Sequence, residues 1–198
     1  MRLSLFAVPL LVACSGGLDL PASPLVSGGK GGATEAVMRW DHVPEGRDWT
    51  RATLAALDGQ GQKLLATWPA DMGEWCPGLR EDDAAGRKLF WTGLLSALAK
   101  HESTWNAKAV GGGGRWFGLV QISPATARYY GCEAGSGAAL KDGAANLSCA
   151  VRILDTTVPR DGVIATGKGG IAADWGPFRQ SAKRADMQSW MRAQDYCR

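Results

Sequence analysis

The sequence predicts a mainly α-helical domain with little or no β-sheet. Three observations predict this class. Residues that cap helix N-termini recur before helical stretches, apolar residues recur three and four positions apart, and runs of alternating β-branched residues are scarce. The chain has 198 residues, which is enough for one domain and an appendage.

The expected helices follow one another with short connections. In chain order, they cover residues 48–57, 60–68, about 83–102, 123–130, 142 to beyond 154, and 183–194. The candidate N-caps are Asp48, either Asp82 or Asp83, and Asp142. Their carboxylates can accept hydrogen bonds from the free backbone N–H groups of a first turn. Ser123 followed by Pro124 is a further start signal, since proline is favoured at the first helical position.

The first residues have the pattern of a secretory signal. Residues 3–12 form an almost unbroken apolar run after Arg2, too short to span the roughly 30 Å hydrocarbon core as a helix but suitable for a signal-peptide core. The run ends Leu-Val-Ala-Cys at Cys14, which resembles the lipobox of bacterial lipoproteins. We therefore expect a signal peptide over 1–13, lipidation of Cys14, and a periplasmic protein anchored in the bacterial outer membrane. An ordinary signal peptide with an incidental cysteine is the alternative.

Residues 14–45 are rich in Gly, Ser and Pro. Such a composition buries too little apolar surface to fold, so we expect a flexible tether before a folded domain over 46–198. About 30 flexible residues have a root-mean-square span of roughly 30 Å. Trp40 is a candidate contact between the tether and the domain.

The five cysteines divide into one and four. If Cys14 is lipidated, the other four can form two disulfides in an oxidising compartment. Three pairings are open; we favour Cys132 with Cys149, which are close in sequence, and Cys76 with Cys197. Zinc is disfavoured because no Cys-x-x-Cys pair exists and the two histidines are scattered, and we expect no cofactor.

Composition and charge exclude two classes. The chain is 45% hydrophobic and 21% charged, a globular rather than a disordered composition. The net charge of +3 is too small to indicate a nucleic-acid-binding protein without a clustered basic face.

Glu102 is the first candidate catalytic residue. It lies four residues after Leu98, seven after Leu95 and eleven after Trp91, so it ends an apolar stripe of the predicted helix. Partial burial raises a carboxyl pKa, and so does the negative end of a helix dipole. A carboxyl group protonated near neutral pH can serve as a general acid. The alternative is a surface glutamate at a fraying helix end.

The residues that follow carry a family resemblance. Residues 102–109 read Glu-Ser-Thr-Trp-Asn-Ala-Lys-Ala, a glycine run covers 111–114, and residues 118–127 read Gly-Leu-Val-Gln-Ile-Ser-Pro-Ala-Thr-Ala. This resembles the catalytic domain of soluble (Slt-type) lytic transglycosylases, relatives of goose-type lysozyme, which have Glu-Ser, then Gly-Leu-Met-Gln and a Pro-x-Thr-Ala helix start. The resemblance implies a lysozyme-like fold with a substrate cleft.

The resemblance also implies residue roles. Glu102 matches the catalytic glutamate, Gly118 and Gln121 match residues lining the sugar groove, and Ser103 matches the residue after the glutamate. The family's Ala-Tyr-Asn-Ala-Gly has no counterpart here; Asp174 or Trp175 is the candidate for the position of its tyrosine. Ala107 and Val120 are lesser departures from the family's Pro and Met.

Trp116 is a further candidate for substrate binding, because the glycine run should expose it on a loop and an indole face packs well against a sugar.

The implied function is cleavage of the MurNAc-GlcNAc β-1,4 bond of peptidoglycan to a 1,6-anhydromuramyl product. Glu102 would act first as acid and then as base, because an acetamido group of the substrate can replace the second carboxylate that most glycosidases use. Two alternatives remain. Asp174 keeps open a muramidase that hydrolyses the same bond, and the missing Tyr-Asn keeps open a non-catalytic peptidoglycan-binding lipoprotein in an envelope assembly with an unidentified protein partner.

Overall fold

A computed structural model of the chain describes residues 36–198, which are built around one long helix. The helices are α1 (Gly46–Gln60), α2 (Gln62–Ala66), α3 (Met72–Trp75), α4 (Ala84–Ser103), α5 (Pro124–Tyr129), α6 (Gly143–Asp161) and α7 (Ser181–Arg192). Short 3-10 helices cover Ala139–Lys141, Gly170–Ala173, Gly176–Arg179 and Asp195–Cys197. Strands β1 (Val110–Gly111) and β2 (Trp116–Phe117) pair antiparallel. The predicted class, mainly α with little sheet, is confirmed.

Three helices begin where their capping residues predict. The carboxylate of Asp83 accepts the backbone N–H of Gly86 at 2.8 Å, and that of Asp142 accepts the N–H of Ala145 at 2.9 Å. The Ser123 hydroxyl accepts the N–H of Thr126 at 3.0 Å, ahead of Pro124. Each cap satisfies a donor that the helix itself leaves unpaired.

Helix α1 begins at Gly46, two residues before the expected Asp48. The backbone is already turning there, since the N–H of Gly46 bonds the carbonyl of Val43 at 2.9 Å. The helix therefore continues a preceding turn and needs no side-chain cap.

Helix α4 is the centre of the core. Every residue from Phe90 to Ala99 is buried, because α1, α2 and α7 all pack against it. The sequence predicted one apolar stripe; the structure instead buries this stretch on all sides, as in helices enclosed by others. Glu102 is in its last turn.

Residues 36–45 belong to the folded body, which corrects the expected boundary at 45/46. Met38 and Trp40 are buried. The indole N–H of Trp40 donates to the Thr50 hydroxyl at 2.9 Å, and its ring meets that of Trp49 edge-on at 5.9 Å. The expected signal peptide, Cys14 and residues 14–35 of the expected tether lie outside the described residues.

Both favoured disulfides, Cys132–Cys149 and Cys76–Cys197, are present. The first joins the end of the α5 turn to α6, and the second joins residues beside α3 and after α7, 121 positions apart. Within residues 36–198, no helix is long and apolar enough to cross a membrane.

Candidate active site

Glu102 lies in the last turn of α4, at the border between core and solvent. Its side chain is half-buried, and among the described residues nothing donates a hydrogen bond to its carboxylate. Burial raises the pKa of Glu102 from 4.5 to about 7, and the positive charge of Lys183 opposes that rise. A carboxyl group with this pKa is protonated in much of the population near neutral pH, as a general acid requires.

The chain reverses sharply after Glu102. Thr104 and Trp105 have φ of 52° and 57°, a left-handed conformation that costs free energy for residues with a side chain. The Trp105 indole N–H donates to the carbonyl of Ser96 at 3.0 Å, and its ring meets His42 at 4.4 Å. Trp105 therefore fixes the turn against α4.

Ser103 joins the end of α4 to the second half of the motif. Its hydroxyl donates to the carbonyl of Leu119 at 2.8 Å, so the segment that contains Gly118 and Gln121 lies against the helix end next to Glu102. Gly118 has φ of +82°, and a Cβ there would lie 2.1 Å from the Leu140 carbonyl oxygen. Only glycine fits this position, which explains the motif's first residue in physical terms.

Gln121 closes the turn of this segment. It has φ of 52°, and its side-chain amide donates to the Gly118 carbonyl at 2.9 Å. Its Oε1 lies beside the Cα of Gly111, where a Cβ would be 2.2 Å away. The side chain thus holds the hairpin against the turn that lies beside the end of α4.

Asn146 is a positioning residue that the sequence reasoning missed. Its buried amide donates to the carbonyls of Phe117 and Leu140, both at 3.0 Å, and accepts the N–H of Val120 at 3.0 Å. Asn146 shares a helix face with the apolar Ala150 and Ile153. This spacing could have predicted its burial, and a buried amide must find hydrogen-bond partners.

Trp175, one of the two candidates for the position of the family's tyrosine, is buried and does not face a substrate. It is 3% exposed, and its indole N–H donates to the carbonyl of Val120 at 2.7 Å. It therefore supports the turn beside Glu102 from within the core.

Asp174 faces away from that core and accepts a hydrogen bond from the Tyr130 hydroxyl at 3.1 Å. Surrounding protein raises the pKa of Asp174 and raises that of Tyr130 to about 12. Asp174 contributes to the shift of Tyr130 but not to that of Glu102. The structure thus pairs Asp174 with Tyr130.

Comparison with known proteins identifies the family to which this arrangement around Glu102 belongs. The sequence profile described as "Transglycosylase SLT domain" matches residues 81–164. Three structures of DslA (Bd0314), the wild type in form 2 and two glutamate-to-glutamine mutants, are each 31% identical to this chain. They superpose with TM-scores of 0.73–0.75 and cover 82–83% of this chain and 98–99% of theirs.

The chain belongs to the transglycosylase SLT domain family. None of the curated proteins is similar enough to count as a match. Membership assigns the chain a lytic-transglycosylase-type activity, with peptidoglycan as the implied substrate.

The SLT domain carries an exposed aromatic group on its hairpin. Trp116 is 42% exposed at the start of β2, as the glycine run predicted. Its ring lies over Gly112, where a Cβ would be 2.1 Å from ring carbons, and the Arg115 guanidinium lies 4.8 Å from its centroid. Glycine at 112 therefore permits the ring to lie flat on the hairpin.

Asp186 of α7 is the charge centre that docks α7 onto α4. It makes two contacts to Arg39, at 2.7 and 3.0 Å, and one each to Lys100 at 3.0 Å and His101 at 2.7 Å. The hydrogen bonds from Arg39, Lys100 and His101 hold the pKa of Asp186 well below its usual range, whereas burial lowers the pKa of His101. His101, although adjacent to Glu102, is thus a structural partner.

Across residues 36–198, no group of three or more His, Cys, Asp or Glu side chains is arranged to hold a metal ion.

Proposed function

We propose that this SLT domain cleaves the MurNAc-GlcNAc β-1,4 bond of peptidoglycan and releases a 1,6-anhydromuramyl end, with Glu102 as acid and then base. The observation that carries the proposal is the unbonded, half-buried carboxyl group of Glu102, whose pKa is about 7. Such a group can hold a proton for the leaving oxygen and still accept one afterwards.

The proposed steps need one carboxyl group. Glu102 protonates the glycosidic oxygen as the C1–O bond breaks, and the acetamido oxygen of the substrate bonds to C1 in its place. Ionised Glu102 then removes the proton of the C6 hydroxyl, whose oxygen bonds to C1 and releases the acetamido group. The ring closes, Glu102 regains its proton, and no water is consumed.

Two features support roles for the surrounding residues. Ser103, Gly118 and Gln121 keep the turn beside Glu102 in place through the contacts described above. Trp116 is the exposed indole nearest in sequence to this turn, and we propose that it packs against a sugar ring of the strand.

Product masses test the chemistry. Sacculi digested by the wild type should release muropeptides lighter by one water than the reducing-end forms, and Glu102→Gln should release them about 10²- to 10⁴-fold more slowly. Reducing ends would instead support the muramidase that hydrolyses the same bond. Binding of wild-type protein to sacculi without any release would contradict both enzymes and support the non-catalytic lipoprotein.

We also propose a periplasmic location with a lipid anchor on Cys14, supported by the sequence pattern of residues 1–14. Cell fractionation tests it: the wild type should be found with the outer membrane, and Cys14→Ser should be soluble. Recovery of the wild type in the soluble fraction would contradict the anchor and leave the enzymatic proposal intact.

A further inference from the structure

Lys183 is placed at the catalytic end of α4 by the contact that docks α7. It lies three residues before Asp186, and residues at this spacing share one side of a helix. Asp186 contacts Lys100 and His101, the two residues that precede Glu102. The next turn of α7, which carries Lys183, is therefore held near the end of α4 that carries Glu102.

The ammonium group of Lys183 has no partner of its own in residues 36–198. It is half-buried, it forms no direct ion pair with Glu102, and its charge nevertheless lowers the pKa of that group. A cation in this setting attracts an anion in the adjacent space, because fixed charges there are less screened than on an open surface.

The other cationic groups around α4 are already engaged, in contrast with Lys183. Lys88 pairs with Asp58. Lys100 and Arg39 pair with Asp186, and Arg179 donates to the Ala172 carbonyl. Among these groups, Lys183 is the one available to a substrate.

We infer that Lys183 binds a carboxylate of the peptidoglycan strand beside the cleaved bond and so determines specificity for anionic glycan. This inference rests on the proposed function of Glu102. A peptidoglycan strand can present such a carboxylate from its stem peptide or, where the peptide is removed, from the lactyl group of muramic acid. The shared chemistry is a carboxylate attached through the muramic acid.

Binding of that carboxylate has a consequence for Glu102. In the free enzyme the Lys183 charge favours the ionised form of Glu102. A bound carboxylate neutralises this charge, so the acid form that the first step needs is favoured when the correct substrate arrives.

Three substrates and three variants test the inference. The substrates are native sacculi, strands freed of peptides by an amidase, and sacculi whose carboxylates have been converted to amides. Lys183→Gln should raise KM on native sacculi by about fivefold, the scale of one partly exposed ion pair. Lys183→Arg should stay close to the wild type, and Lys63→Gln, at an exposed position of α2, serves as the matched control.

On amidated sacculi, wild type and Lys183→Gln should have the same KM. There, the alkaline limb of kcat/KM should move to higher pH in Lys183→Gln, because loss of the positive charge raises the pKa of Glu102, and should not move in Lys183→Arg. A KM effect on native sacculi alone assigns the carboxylate to the peptide, and an effect also on amidase-treated strands assigns it to the lactyl group as well.

Equal effects of Lys183→Gln on charged and amidated sacculi, or no effect on either, would overturn the inference. Failure of the proposed function is a separate result. It would appear as activity retained in Glu102→Gln, independently of the KM values of the Lys183 variants.

Discussion

The two ends of α4 differ in how their polar groups are satisfied. At the start, Asp83 caps the helix with a hydrogen bond to the N–H of Gly86, as local sequence preferences dictate. At the other end, Thr104 and Trp105 are both left-handed and the Glu102 carboxyl group has no hydrogen-bond donor among the described residues.

The difference shows where this protein departs from its most stable arrangement. The first end contributes stability from local contacts. The second keeps a half-buried carboxyl group unbonded next to a strained turn, and contacts from residues far away in sequence hold that turn in place. Departures of this kind concentrate at functional sites.

The largest expected effect is at the second end. Glu102→Gln should lower the rate of muropeptide release by about 10²- to 10⁴-fold, since it removes the proton donor and acceptor but keeps the shape. The rate of release from sacculi measures this. The exposed Glu133→Gln is the matched control and should retain the wild-type rate; a Glu102→Gln rate within about threefold of the wild type would contradict the assignment.

Glu102→Gln should also make the protein more stable at alkaline pH. The pKa of Glu102 is 4.5 in its ordinary state and about 7 in the fold, so raising pH through this window ionises the unfolded chain first and destabilises the native state. At pH 8 the full penalty, about 1–3 kcal/mol, is present in the wild type and absent from the variant. Urea unfolding at pH 4 and pH 8 measures it; an equal difference at both values would contradict the burial of this group.

A matched pair of hydrogen-bond deletions compares the two ends directly. Asp83→Ala and Ser103→Ala should each lower the free energy of unfolding by about 1 kcal/mol. Only Ser103→Ala should also reduce muropeptide release, because it frees the Leu119 segment beside Glu102. Equal activities for the two variants would mean that the Ser103 contact has no part in the site.

The smallest expected effect is at Thr104. Its φ of 52° suits glycine, so Thr104→Gly should raise the free energy of unfolding by up to about 1 kcal/mol. Thermal or urea unfolding measures this. A loss of stability would indicate that the threonine side chain contributes more than its backbone strain costs.

Local features were predictable from sequence and remote ones were not. Asp83, Ser123 and Asp142 act within three residues of themselves, and their helices begin as predicted. The Glu-Ser and Gly-Leu-x-Gln segments identified the family because their spacing encodes a specific turn.

The remaining site residues act across long sequence separations. Asn146 bonds a segment 26 to 29 residues earlier, and Trp175 bonds one 55 residues earlier. Periodicity in the sequence can predict that such residues are buried, but it cannot predict which backbone group they hydrogen-bond. Trp40 precedes the first helix, so no periodicity pointed to its hydrogen bond with Thr50, and it is buried with Met38 in the core.

The Cys76–Cys197 bond closes a covalent ring that contains α4 with Glu102, the hairpin, Asn146 and α7 with Lys183. A single peptide-bond cut anywhere inside this ring leaves both fragments attached to each other. Proteolytic nicking of an exposed loop would therefore open the chain without separating the glutamate from the helix that faces it.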